Sequence, residues 1–145
     1  MHETLLRALQ ERRPQICARW EALLRLEPLH TPLAHPDMLV FLFDQTLDEV
    51  LTARPKAPGK PVRSRPRCEC DCNPMRVYFP ALEQALLEAL VLAQCELPMF
   101  SAGERVAAVA ELCTTLRRIA RRELGVFDEI CRQCSDARAA VQGSS

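Results

Sequence analysis

Apolar residues recur along the chain at helical spacing. Leu5, Leu6, Leu9, Ile16, Trp20, Leu23 and Leu24 form a stripe with a period of about 3.6 residues, which predicts a helix from about Glu3 to Leu26. Pro14 removes a backbone donor within it, so a kink or break is expected there. Thr31-Pro32-Leu33-Ala34-His35-Pro36 reads as a loop. It leads into a helix from about Pro36 to Ala53, with Leu39, Leu42, Phe43, Leu47, Val50 and Leu51 as the buried face. Pro36 suits a first turn, where its missing N–H costs nothing.

Asn73-Pro74 is a second start signal, a cap residue followed by proline. The helix it opens runs to about Leu97, with a kink or late start at Pro80. Leu82, Leu86, Ala89, Leu90 and Ala93 face inward, and Glu83, Gln84 and Glu88 face water. Ser101-Ala102-Gly103-Glu104 has the form of a capping box. The helix behind it is expected to bury Val106, Val109, Ala110, Cys113, Leu116, Ile119 and Ala120. Gly125 either ends that helix or interrupts it slightly. Val126, Phe127, Ile130 and Cys134 mark a last helical segment before the polar tail from Gln142 to Ser145.

Composition narrows the class. With 145 residues, 48% of them apolar, the chain suits one domain with a core of its own, read here as a single helical domain over 1–145. Four glycines argue against a turn-rich all-β fold and against a glycine-rich phosphate loop. The 19 basic and 19 acidic residues cancel, so no global field draws the chain to nucleic acid or membrane. The longest apolar segment, near Leu86 to Leu97, is interrupted by Glu88 and Glu96, so no membrane span is expected. The opening Met-His-Glu-Thr-Leu-Leu-Arg lacks the basic and apolar regions of a secretory signal. The expected location is the cytoplasm.

Residues 52–73 depart from this pattern as a basic, Pro-rich and Cys-rich loop within the domain. Arg54, Lys56, Lys60, Arg63, Arg65 and Arg67 lie among four prolines with no acid between Thr52 and Arg67. Such a composition cannot offset its ordering entropy by burial, so an extended or mobile loop is expected. Either it docks on the chain's own acidic helices or it meets an acidic partner. No aromatic side chain interleaves with the charges, so stacking on nucleic-acid bases has no platform.

The chain has eight cysteines, and their placement carries the candidate chemistry. Cys68-Glu69-Cys70-Asp71-Cys72 puts three thiols in five residues, and Cys131-Arg132-Gln133-Cys134 puts two more on one side of a helix. A soft divalent metal takes several thiolates at about 2.3 Å, and short spacings let one stretch of backbone supply two of them. Cys68, Cys70, Cys72, Cys131 and Cys134 together exceed the four sulfurs of a structural zinc site. Zinc is therefore the expected metal. An iron–sulfur cluster fits by ligand type, but the spacing matches none of the common cluster runs. The same thiols, with arginines nearby to favour thiolates, could instead form disulfides as a redox switch. Cys17, Cys95 and Cys113 stand alone and read as small apolar residues in helix packing.

No catalytic set emerges. The three histidines, His2, His30 and His35, lie in the N-terminal quarter, and His30 and His35 read as turn or capping residues. Asp37, Asp44, Asp48, Glu83 and Glu88 are spaced like solvated helix faces, and the Glu-x-x-His pairs of di-iron bundles are absent. Arg117, Arg118, Arg121 and Arg122 form a basic patch, read as a solvated face countered by Glu111 and Glu123. A thiol-based oxidoreductase, a metal-dependent enzyme and a plain interaction scaffold remain the alternatives to a non-catalytic module.

Three segments carry a family resemblance. Ile16-Cys17-Ala18-Arg19-Trp20 is followed by His35-Pro36 and a helix ending in Leu47-Asp48-Glu49-Val50-Leu51; near the end stands Phe127-Asp128-Glu129-Ile130-Cys131-Arg132. This order resembles the helical N-terminal sensor domains of RsbR-type stressosome proteins. The resemblance implies a globin-like fold that holds no haem, a homodimer, and a sensing or protein-interaction role, with no catalytic residue carried over. The Cys-rich loop departs from that family's pattern. The expectation is thus an all-α domain, globin-like or an irregular bundle of about five helices. Its expected function is that of an intracellular sensor or regulatory module acting on a protein partner or on itself.

Overall fold

The structure, a computed structural model, describes residues 1–29, 34–52 and 73–143, with residues 132–142 as backbone alone. The described residues are all helical in their regular structure, as the hydrophobic spacing predicts. Helix α1 spans Glu3–Glu11 and α2 spans Arg13–Leu26. The break falls at Arg12, so that Pro14 occupies the first turn of α2, where no intrahelical donor is needed. The His2 ring caps α1 by accepting from the Thr4 N–H at 3.2 Å.

The second expected helix is not continuous. Helix α3 (Pro36–Leu39) gives way to a 3₁₀ turn at Val40–Leu42, and α4 (Phe43–Leu51) follows. Three residues per turn in place of 3.6 shift the phase of the buried face. Leu39, Phe43, Leu47, Val50 and Leu51 are buried as expected, whereas Leu42 is turned to the surface. Phe41 is 84% exposed.

Helix α5 (Met75–Glu96) is the centre of the bundle, packing against α1, α2 and α6. The Asn73 side chain caps it, its Oδ1 accepting from the Met75 N–H at 3.0 Å. Pro80 takes one bond out of the ladder without ending the helix. Tyr78, Phe79, Ala81 and Leu82 around it are all buried, and this packing holds the helix together across the proline. The five inward residues expected on α5 are buried.

Helix α6 (Ala102–Gln142) opens on the expected capping box. Ser101 Oγ accepts from the Glu104 N–H at 3.3 Å, and Glu104 accepts in return from the Ser101 N–H at 2.7 Å. Gly125 lies within the helix and does not end it. The inward face differs from the expected one. Ala108, Leu112, Leu116 and Ile119 are buried, Val109, Cys113 and Ala120 lie half-buried on its flank, Ala110 is exposed, and Val106 is 69% exposed. Among the described residues no helix is long and apolar enough to cross a membrane.

The core includes a cluster of aromatic side chains. Trp20 stacks on Phe43 with ring centroids 3.8 Å apart, and Tyr78 lies 4.5 Å from Trp20. The Trp20 indole N–H donates to the Tyr78 carbonyl at 3.0 Å. This satisfies a polar atom of a fully buried side chain and locks α2 onto α5.

Candidate functional site

Of the five thiols expected to hold a metal, Cys68, Cys70 and Cys72 lie outside the described residues, as does the basic stretch from Ala53 to Arg67. Cys134 lies on α6, but its side chain falls outside the described ones; Cys131 is half-buried on the same helix. Among the described residues no group of three or more His, Cys, Asp or Glu stands together as a metal site. Cys131 is the one thiol of the expected set whose side chain is described.

What lies beside these thiols is well defined. Asn73, the residue after Cys72, is 5% exposed and reaches across to α6. Its Nδ2 donates to the Leu124 carbonyl at 3.1 Å and to Asp128 Oδ1 at 3.1 Å. The Arg76 guanidinium lies 3.7 Å from the same Asp128 oxygen. Asp128 precedes Cys131 by three residues, which on a helix is about 4.5 Å along the axis. The start of α5 and the turn of α6 before Cys131 are therefore fastened together. The sequence marks Asn73 as a helix cap, but its cross-link to a helix more than fifty positions away leaves no local signal.

The remaining cysteines differ among themselves. Cys17 is half-buried against the core, and burial, with Asp44 adding to it, pushes its thiol pKa up. A thiol held protonated is a poor nucleophile and a poor ligand, which accords with a packing role. Cys113 is half-buried with its sulfur 4.0 Å from Glu83. Cys95, expected inside, is exposed near the end of α5.

The charged residues are largely structural. The His35 ring caps α3, accepting from the Asp37 N–H at 3.2 Å; His30 lies outside the described residues. Arg13 pairs with Asp44 and Asp48 at 3.2 and 2.6 Å, and Arg19 with Glu88 at 2.7 Å. In the arginine patch, Arg117, Arg118 and Arg121 are exposed, while Arg122 turns to α4. It grips Glu49 through both nitrogens, at 2.6 and 2.7 Å, and also touches Glu123. Glu49, which the sequence does not single out, and Glu123 hold its guanidinium above its ordinary pKa.

A cleft of about 410 Å³ opens between α1, α4 and α6, lined by residues that include Leu6, Val50, Thr115 and Arg118. At its rim the Met1 ammonium pairs with Glu111. No described buried side-chain nitrogen or oxygen lacks a hydrogen-bond partner, so no orphaned group is aimed into it. Comparison of the chain with family models, curated proteins and solved structures gives no match.

Proposed function

We propose that the protein is a non-catalytic intracellular sensor or regulatory module whose input site is the thiol cluster Cys68, Cys70, Cys72, Cys131 and Cys134. The observation that carries this reading is the fastening of Asn73 to Leu124 and Asp128. It brings the chain position that follows Cys72 to within about one helical turn of Cys131. Two cysteine-bearing stretches, distant in sequence, thus have anchored neighbours close together in the fold. A metal that takes thiolates from both would join α6 to the segment before α5, and its occupancy would be read as order in that segment. Zinc is the metal that a mixed Cys-x-Cys and Cys-x-x-Cys set suits best. The resemblance to RsbR-type sensor domains supports a sensing role and a homodimer, and the exposed Phe41 and Met38 suit a protein partner.

Metal content and thermal stability test this reading. Protein purified without oxygen is expected to carry about one colourless zinc per chain, the stoichiometry of a single four-sulfur site. Replacing Cys70 and Cys72 together by Ser is expected to lower the melting temperature of the metal-loaded protein and leave the metal-free form unchanged. An equal loss in both forms would falsify the metal reading. A brown protein with iron and sulfide would make a cluster the cofactor. Oxidant-dependent cross-linking of the same cysteines in a metal-free protein would make the site a redox switch.

A further inference from the structure

Among the arginines whose side chains are described, Arg117 and Arg121 alone have no hydrogen bond or ion pair within the chain. Both are exposed, one turn apart on α6. Like charges at that spacing weaken a helix, and here no described carboxylate offsets them. Cys113 stands one turn before Arg117 on the same face, its sulfur 4.0 Å from Glu83 of α5. That contact marks the outer groove between the two helices. Earlier on this face of α6 come the exposed Ala110 and Val106. On α5, one and two turns beyond Glu83, Leu87 is half-buried and Val91 is 51% exposed. The groove is thus apolar from Val106 to Cys113 and cationic at Arg117 and Arg121.

A second surface has the same order of chemistry with the opposite charge. The 3₁₀ turn leaves Phe41 exposed, and Met38, three residues earlier, is 57% exposed. Asp44 comes three residues after Phe41 and Asp48 one turn later, with side chains 83% and 68% exposed. The two carboxylates share the one guanidinium of Arg13, so this edge keeps a negative charge. Phe41, Asp44 and Asp48 follow one another at steps of about 5 and 6 Å along their helices. Cys113, Arg117 and Arg121 follow at steps of about 6 and 6 Å. The two rows therefore match in register as well as in charge.

We infer that the α5–α6 groove of one copy of the chain docks the Phe41-bearing acidic edge of a second copy. Phe41 lies on the apolar stretch that ends at Cys113, and Asp44 and Asp48 meet Arg117 and Arg121. Charge complementarity selects this occupant. A nucleic acid or an anionic membrane would satisfy the two arginines but be repelled by the acidic edge, whereas a second copy satisfies both surfaces. Because the two surfaces differ, each docked copy keeps one of each open, and association runs head to tail. The contact is narrow and its charges lie near water, so it is weak and sensitive to salt. This gives the protein-partner part of the proposed function a surface, and it uses none of the clustered thiols.

Sedimentation velocity on the full chain tests the docking, in reducing buffer with a chelator so that neither disulfides nor metal join the copies. The mean mass is expected to rise with concentration past that of a dimer. Association is expected to weaken about tenfold or more between about 0.05 M and about 0.5 M salt. Arg117→Glu with Arg121→Glu is expected to leave a monomer, and so is Met38→Ser with Phe41→Ser. All four side chains lie outside the core, so both variants are expected to melt with the wild type. Mixed in equal amounts, the two variants are expected to form a dimer and grow no further, since one supplies an intact edge and the other an intact groove. If either variant melts early, Arg117→Gln with Arg121→Gln and Phe41→Ser alone take their places in the same mixture. A wild-type chain that stays monomeric, a dimer that does not grow, association that survives in either variant, or a mixture that stays monomeric overturns the docking. Any of these leaves the thiol reading as it stands, because metal and disulfides are absent throughout.

Discussion

Burial at Tyr78 takes water away from a phenol that in an unfolded chain ionises near its ordinary pKa of 10.0. Desolvation pushes the folded value well above that, while the hydroxyl's hydrogen bond with Thr46 at 2.8 Å pulls the other way and loses. The neutral form is the one the fold accommodates. Below about pH 10 both states keep the proton and Tyr78 adds no pH dependence; above it the unfolded chain releases the proton first, and stability falls. The slope from this one group is about 1.4 kcal/mol per pH unit. Urea midpoints measured at about pH 9 and 11 are expected to converge in Tyr78→Phe relative to wild type. An alkaline loss of the same size in both would place its origin elsewhere. None of this is legible in sequence, where no local pattern singles out Tyr78. Its partners Trp20 and Thr46 lie tens of positions away, and only the crossing of α2, α4 and α5 brings them together.

Helix ends were the most legible elements, because their signals are local. The Ser101–Glu104 box, the Asn73 cap and the break ahead of Pro14 each depend on residues within four positions of one another. Helix faces were less so. On α6 the residues Val106, Val109, Cys113, Leu116 and Ala120 make one regular stripe, and Ala108, Leu112, Leu116 and Ile119 make another. The placement of α5 decides between them, and spacing alone does not reveal it. The start of α6 also offers a paired prediction. Ser101→Ala removes a reciprocal cap and is expected to cost about 1 kcal/mol. At Gly103 an added Cβ would meet only the Ser101 hydroxyl oxygen, at 4.0 Å. Gly103→Ala is therefore expected to stabilise the protein by about 0.5–1 kcal/mol, by lowering the entropy of the unfolded chain. Denaturant midpoints for the two variants should move in opposite directions, with an unchanged slope.

At the scale of the whole molecule, the all-α class followed from helical spacing and scarce glycine, and the candidate site was legible only as a composition. Five clustered thiols name a chemistry; what the structure adds is the buried amide of Asn73, which crosses from the start of α5 to α6. The length of α6 sets a dimension that can be measured. Its 41 residues span about 62 Å, against about 33 Å for the 22 of α5. A compact chain of 145 residues has a radius of gyration of about 15 Å. Small-angle scattering from the monomer is expected to give a larger value, with a maximum dimension of at least about 60 Å, the length of α6. A maximum dimension near 45 Å, about 17 Å shorter than a straight α6, would show that the helix bends back.

That same helix also has a mechanical consequence. From Asp128, which is bonded to Asn73, to Gln142 it runs about 21 Å. A rigid rod pivoting at Asp128 converts angle into distance, so that a tilt of about ten degrees sweeps its tip through nearly 4 Å, roughly the width of a methyl group. Displacements too small to alter the core are in this way magnified at the far end of the chain, where a neighbouring surface would feel them as contact made or lost.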